Sequence, residues 1–324
     1  MNGHLFTAGE RLSISTELDW VWALLVEGAG EDLESGEAAD ASVRVNVEGD
    51  RRPFAVDGWE LVARGVRRRG REMVVENVCT SGFDLHLHCA EGPPTFTYRW
   101  RPPSRDRAAA RVLRSRFHLL ARAALLQYPV LWWAGARGRA PLHASGCISH
   151  DSVALVTAQS GIGRSTLVLA ETVAGGRTTG DNLAVADGTS VWGLVEPVRV
   201  KGGSGRRMPH GRQESSLPNR VPVLEPDCVV VIVRGDGEAP SLTPCSPHVA
   251  AAALVTSTYM AGELRRYWAF AAALAAGTEV GPPHPPVAQV AADFAQSLPC
   301  FSLALGRRPR VCLGALLETA QVAA

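Results

Sequence analysis

Residues 157–166 read TAQSGIGRST, and their types and spacing suit the binding of a phosphate group. They follow an apolar run, Ser152-Val-Ala-Leu-Val156, expected as a buried strand. They precede Leu167-Val-Leu-Ala-Glu-Thr-Val173, which has helical character. A strand, a glycine-bearing loop and a helix in that order aim backbone amides and a helix N-terminus at one point, and that point favours an anion. The expected contact residues are Gln159, Ser160, Gly161, Ile162, Gly163, Arg164, Ser165 and Thr166. The common pattern is G-x-x-x-x-G-K-[ST]. Ala158 stands at its first Gly, Gly163 at its second, and Arg164 at its Lys. Arg is a wider, planar and forked cation, so the exchange is not neutral. Ala158 adds a methyl that can restrict the start of the loop. Ser165 is placed for Mg²⁺. The bland alternative is a tight strand-to-helix turn that uses Gly for backbone reasons alone.

Two flanking segments extend the pattern. One is Leu142-His-Ala-Ser-Gly-Cys147, ahead of the strand. The other is Gly176-Arg-Thr-Thr-Gly-Asp-Asn182, after the helix. With these three motifs the chain resembles the C-terminal domain of HPr kinase/phosphorylase. It is more closely similar to the HPr-kinase-like proteins found beside peptide natural-product genes. The similarity in order and spacing covers roughly residues 118–320. It implies an α/β P-loop kinase domain like that of phosphoenolpyruvate carboxykinase. It also implies His143 near the transferring phosphoryl group, Arg164 on the β- and γ-phosphates, and Ser165 on Mg²⁺. Asp181 becomes the first acid of an Asp-Asp pair, as catalytic base or metal partner. Asn182 replaces the second acid and can offer the metal only a neutral oxygen. The implied cofactors are ATP or GTP with Mg²⁺.

The rest of the chain must position these groups. At 324 residues, two domains are expected. The boundary is placed near residue 103, at Arg101-Pro-Pro-Ser104. A β-rich N-terminal domain (1–103) with a substrate-recognition role then precedes a nucleotide-binding domain (104–324). Strands are expected at Trp20–Val26, Val43–Val47, Met73–Val78 and Phe83–His88, and a mobile loop at Glu31–Asp40. A helix is expected over Arg105–Leu126, and the next strand over Arg177–Asp181. A hairpin turns at Asp187-Gly188, and a buried strand runs Cys228–Val233. Lys201–Asn219 is polar and Gly-rich. It is either a disordered surface loop or a lid whose Arg206, Arg207 and Arg212 stabilise phosphoryl charge. The basic run Arg67-Arg-Arg-Gly-Arg71 is a solvated turn or a contact for an acidic peptide.

Composition narrows the classes. Apolar residues make up 46% and charged residues 20%, the profile of a soluble globular protein in which a spanning helix is not expected. A net charge of +1 argues against a dedicated nucleic-acid partner. Seven scattered Cys without C-x-x-C suggest free thiols in a reducing cytoplasm. His86-x-His88 lacks the further ligands of a zinc site, and G-x-S-x-G is absent. The expected activity is Mg²⁺-dependent phosphoryl transfer from a nucleoside triphosphate to a hydroxyl, Ser above all, of a peptide or small protein. The alternatives are a non-catalytic nucleotide- or peptide-binding protein of kinase descent, and a small-molecule kinase. Homo-oligomerisation is left open.

Overall fold

The computed structural model describes residues 1–89, 92–202, 205–208, 211–307 and 312–322. The fold is mixed α/β with several sheets. Its contacts divide the chain into two compact units. The first comprises 1–137, 206–209 and 266–284, and the second comprises 138–205, 210–265 and 285–324. The contact boundary therefore falls after Arg137, not near residue 103. The helices that follow Pro103 pack with the preceding strands. Tyr98 shows this directly, its hydroxyl donating to the Ala124 carbonyl at 2.7 Å.

Nine strands among the described residues of the first unit form one sheet. They are β1 (Asn2–Thr7), β2 (Glu10–Thr16), β3 (Glu34–Ser35), β4 (Val43–Glu48), β5 (Glu60–Ala63), β6 (Val66–Arg69), β7 (Glu72–Val75), β8 (Phe83–His88) and β9 (Thr95–Trp100). Their order is β3-β1-β2-β4-β9-β8-β7-β6-β5. Buried residues alternate along β2 and β4, as expected of strands with one face on the core. The basic run is thus strand β6 between two turns. The expected strand at Trp20–Val26 is instead helix α1 (Asp19–Ala29). Its buried Val21, Leu24, Leu25 and Gly28 fall at i, i+3, i+4 and i+7, a helical stripe that a short apolar run conceals. Met73–Val78 also divides, since β7 ends at Val75 and a 3₁₀ turn spans Val78–Thr80. The single helix expected over Arg105–Leu126 is α2 (Ser104–Val112) and α3 (Arg114–Arg122), broken at Leu113. A π-helical turn (Ala123–Gln127) follows, leading into α4 (Tyr128–Ala136). Helix α7 (Tyr267–Thr278) completes this unit, and its Gly277 lies so close to Met73 that a Cβ there would meet the sulfur at 2.1 Å.

The second unit carries the expected loop. Its strands are β10 (Ala140–Leu142), β11 (Ala144–Ser149), β12 (Ser152–Ala158), β13 (Arg177–Thr178), β14 (Ala184–Ala186), β15 (Val191–Gly193), β16 (Val198–Val200), β17 (Gln213–Ser215), β18 (Val223–Leu224), β19 (Cys228–Arg234), β20 (Ser241–Pro244) and β21 (Cys300–Leu305). Its helices are α5 (Arg164–Val173), α6 (Pro247–Met260), α8 (Val287–Ser297) and α9 (Leu313–Val322). The central sheet has the order β13-β11-β12-β19-β21-β20. β12, β19 and β21 are parallel, with Ala158 opposite Ile232 and Ile232 opposite Leu303. Parallel strands are covered on both faces and so read as unbroken apolar runs. Their C-terminal ends lie along one edge, where open α/β sheets bind ligands. The strand expected to reach Asp181 stops at Thr178, and Asp181 follows in irregular backbone. The Asp187-Gly188 hairpin forms between β14 and β15. Part of Lys201–Asn219 is ordered as β17, paired antiparallel with β16; residues 203, 204, 209 and 210 of that segment lie outside the described ones.

Helix α5 is held from behind by a buried carboxylate. Glu171 accepts from the Leu313 N–H at 2.7 Å and from the Ser149 hydroxyl, which in turn accepts from the Gly314 N–H at 2.9 Å. Two of the four orphan amides at the start of α9 are thereby satisfied. Leu313 and Leu317 of that helix pack into the same core as Leu167 of α5. Among the described residues, no helix is long and apolar enough to cross a membrane.

Candidate functional site

The loop turns on two glycines. Gly161 has φ +84° and Gly163 φ +130°, left-handed backbone that a side chain would strain. A Cβ at Gly163 would also meet Leu305 Cδ1 at 2.9 Å. Ala158 is different. It is the last residue of β12, its backbone is extended and its methyl lies in the core, so no glycine is required there. Past Gly163 the chain enters α5, whose first amides have no earlier turn to bond.

These amides open on a cavity of about 500 Å³. Gln159, Ser160, Gly161, Gly163, Arg164, Ser165 and Thr166 line it, as do His143, Asp181 and Asn182; Ile162 lines its neighbour instead. The sequence-derived residues therefore converge from β12, α5 and the segments beside β10 and β13. Asp181 is buried, and among the described residues its Oδ1 has no hydrogen-bond partner. Burial raises its pKa, opposed by Arg164 and by a hydrogen bond from Ser165.

Arg164 is turned into the protein. It is 5% exposed; its Nη1 donates to the His143 carbonyl at 2.8 Å, and its Nη2 to Asn182 Oδ1 at 3.1 Å. Nη2 also stands 3.0 Å from His143 Nε2, which is itself 3.1 Å from Asn182 Oδ1. One ring nitrogen cannot both donate to that oxygen and accept from the guanidinium, so either tautomer leaves one contact unmade. Burial, then Arg164, push His143 down to about 4, so its ring is neutral at neutral pH. The backbone N–H of His143 donates to Thr258 Oγ1 of α6 at 2.9 Å, which fixes the residue from the far side.

Three further charged residues escaped the sequence motifs. Arg199 of β16 donates from Nη1 to Glu263 at 2.7 Å and from Nη2 to Glu196 at 3.4 Å. Glu196 is deeply buried and pushed up to about 7, by burial first. Arg199 and Glu263 line the cavity with Lys201 and Arg212. Lys201 and Arg212 are exposed, and among the described residues neither forms an ion pair. No periodicity in Glu196-Pro-Val-Arg199 hints at Glu196 and Arg199. Of the three loop arginines, Arg212 reaches the cavity. Arg206 pairs with Glu27 in the first unit, and the Arg207 carbonyl accepts from Ser115 at 2.7 Å.

The oxygen donors suit a small hard cation. Mg²⁺ takes one or two carboxylates and leaves positions for water and phosphate. The unpartnered Asp181 Oδ1 and the adjoining Ser165 hydroxyl meet that demand. Asn182 Oδ1 already accepts from Arg164, and a metal reaching it would displace that contact.

No family model matches the chain, and no curated protein matches it. Among solved structures it is similar to the Hpr(Ser) kinase/phosphatase from Coxiella burnetii, with 12% identity and a TM-score of 0.30, over 56% of this chain and 88% of that chain.

Proposed function

We propose that the chain binds ATP or GTP with Mg²⁺ and transfers the terminal phosphoryl group to a hydroxyl, such as that of a serine, on a peptide or small protein. The observation that carries this is Asp181, a buried carboxylate whose Oδ1 has no partner among the described residues, beside Ser165 and facing a glycine loop at a helix N-terminus. Ser165 and Asp181 would hold Mg²⁺, which when bound neutralises charge on the phosphate oxygens. The loop amides orient the phosphates, and Lys201 and Arg212 offset their charge. Where Asp181 acts as base instead of metal partner, it accepts the acceptor hydroxyl's proton as the hydroxyl oxygen bonds to phosphorus and the bond to the departing nucleoside diphosphate breaks. Neutral His143, tied to Arg164 and Asn182, holds the cavity wall in register. The second unit (138–205, 210–265 and 285–324) supplies nucleotide binding, and the first unit is assigned to acceptor recognition. The free thiols of all seven Cys support a reducing, cytoplasmic setting.

A second reading has its own support. Arg164 spends its guanidinium on protein groups, and Asn182 brings no charge, which favours a nucleotide-binding protein without turnover. The two part experimentally. Mg²⁺ with ATP or GTP should raise the melting temperature through preferential binding to the folded state. Phosphate transfer to a Ser-containing peptide should then follow. Binding without transfer to any peptide or small-molecule hydroxyl selects the non-catalytic reading, and no shift with either nucleotide removes both.

A further inference from the structure

The loop separates two cavities. The second, of about 440 Å³, shares Gly163 and Thr166 with the first. Its size falls within the ~300–1,000 Å³ of pockets that hold small organic ligands. Its floor is apolar, made by Ile162, Leu167, Ala170 and Leu305, and its rim carries Arg234, Asp236 and Arg307. The rim is built by the backbone. Gly235 N–H donates to the Leu305 carbonyl at 3.0 Å and Arg307 N–H to the Gly237 carbonyl at 3.0 Å, so the segments leaving β19 and β21 form one wall. Two glycines permit that closeness. A Cβ at Gly306 would meet the Glu238 carbonyl at 2.5 Å, and one at Gly235 the Leu305 carbonyl at 3.0 Å. Leu305 also lies against Gly163, so the apolar floor runs up to the phosphate-binding turn.

We infer that this second cavity holds the purine nucleoside of the triphosphate, an inference that rests on the nucleotide reading above. A ligand anchored by phosphates over α5 must carry its remaining part past Gly163 or Thr166 to enter this space. An apolar floor receives the face of a flat heterocycle, and a guanidinium from Arg234 or Arg307 stacks on such rings. Asp236 offers a carboxylate to an exocyclic amine, a group that both adenine and guanine carry. The first cavity, lined by charges, suits phosphate and not a base.

Calorimetry with Mg²⁺ and three probes tests this: ATP, GTP and inorganic tripolyphosphate. The wild-type chain should bind a purine nucleotide at least about tenfold more tightly than tripolyphosphate, the scale of one stacked base. Ala170→Phe fills the cavity from an exposed helix position and should abolish that advantage while leaving tripolyphosphate affinity unchanged. Asp236→Ala should lower purine nucleotide affinity alone. If the wild type binds tripolyphosphate as tightly as both nucleotides, the nucleoside site is overturned and the phosphate loop stands. Equal losses for nucleotide and tripolyphosphate in both variants overturn it as well. Failure to bind any of the three removes the phosphate loop, and the nucleoside site with it.

Discussion

Charged side chains in the two units are arranged on opposite terms. Along the first unit's sheet, acids and cations are matched near solvent. Arg68 Nε donates to Glu60 at 2.7 Å, Arg69 Nη2 to Glu72 at 2.9 Å and Arg99 Nε to Glu48 at 2.6 Å. The Glu60 and Glu72 carboxyls are held below their ordinary range, each by its arginine first. Around the second unit's loop Arg199 and Glu263 shift as a matched pair does, but four other groups shift the opposite way. Burial pushes Asp181 and Glu196 up and Arg164 and His143 down. Matched surface charges lower the free energy of the fold by little and leave nothing to react. A buried carboxylate such as Asp181, whose Oδ1 has no hydrogen-bond partner among the described residues, is held ready for a ligand to complete it, the usual condition of a functional site.

The most forceful way to break this comparison is to remove the under-satisfied acid. Asp181→Asn should lower phosphoryl transfer by at least ~10²-fold in steady-state turnover, the scale of a general base or metal-positioning group. Nucleotide affinity should fall far less, because backbone amides make most of that contact. Undiminished turnover would place the chemistry elsewhere.

Next come the cations. Replacing Lys201 and Arg212 together with Ala should weaken tripolyphosphate binding by about tenfold or more, since both line the cavity and, among the described residues, neither forms a close ion pair. Arg164→Lys should instead lower thermal stability, by about 1–3 kcal/mol, because one ammonium cannot reach the His143 carbonyl and the Asn182 oxygens together. A larger loss of affinity in Arg164→Lys than in the double variant would restore Arg164 as the phosphate's cation.

The pH response is subtler. Glu196 has a folded pKa raised from 4.5 to about 7, so its contribution to stability is full below 4.5 and lost as pH rises through 7. His143 runs the other way. Lowered from 6.5 to about 4, it contributes fully above 6.5 and loses that contribution as pH falls through 4. Melting curves of Glu196→Gln, a mimic of the protonated acid, should therefore gain on the wild type between about pH 5 and about pH 8. Parallel curves would mean that Glu196 is solvated like the surface acids. The smallest effect belongs to that surface. Glu72→Gln should change stability by no more than about 1 kcal/mol, and high salt should erase even that. A larger change would dissolve the contrast between the two regions.

Much of the site was legible because its parts are local. The apolar run of β12, the glycines at 161 and 163 and the start of α5 adjoin in sequence. Gly161 and Gly163 have the positive φ that glycine spacing suggests. The direction of Arg164 was not legible. It depends on His143 and Asn182, each about twenty residues away and brought alongside by the pairing of β10 with β14. Glu196, Arg199 and Glu263 carry no motif, since an ion network across β16 and the segment after α6 exists only once those elements pack. In the first unit, α1 reads as a strand in sequence because eleven residues hold too few turns for a helical period to stand out against β-branched Val.

The buried carboxylate behind the loop helix sets a condition on synthesis. Glu171 leaves the ribosome well before Leu313 and Gly314, whose amides complete its hydrogen bonds together with Ser149. A nascent chain, or one clipped ahead of Leu313, holds every residue of the phosphate loop but not the partners that offset the burial of Glu171. The hydrogen bonding behind the loop helix is therefore complete only once Leu313 and Gly314, more than a hundred residues downstream in sequence, are in place.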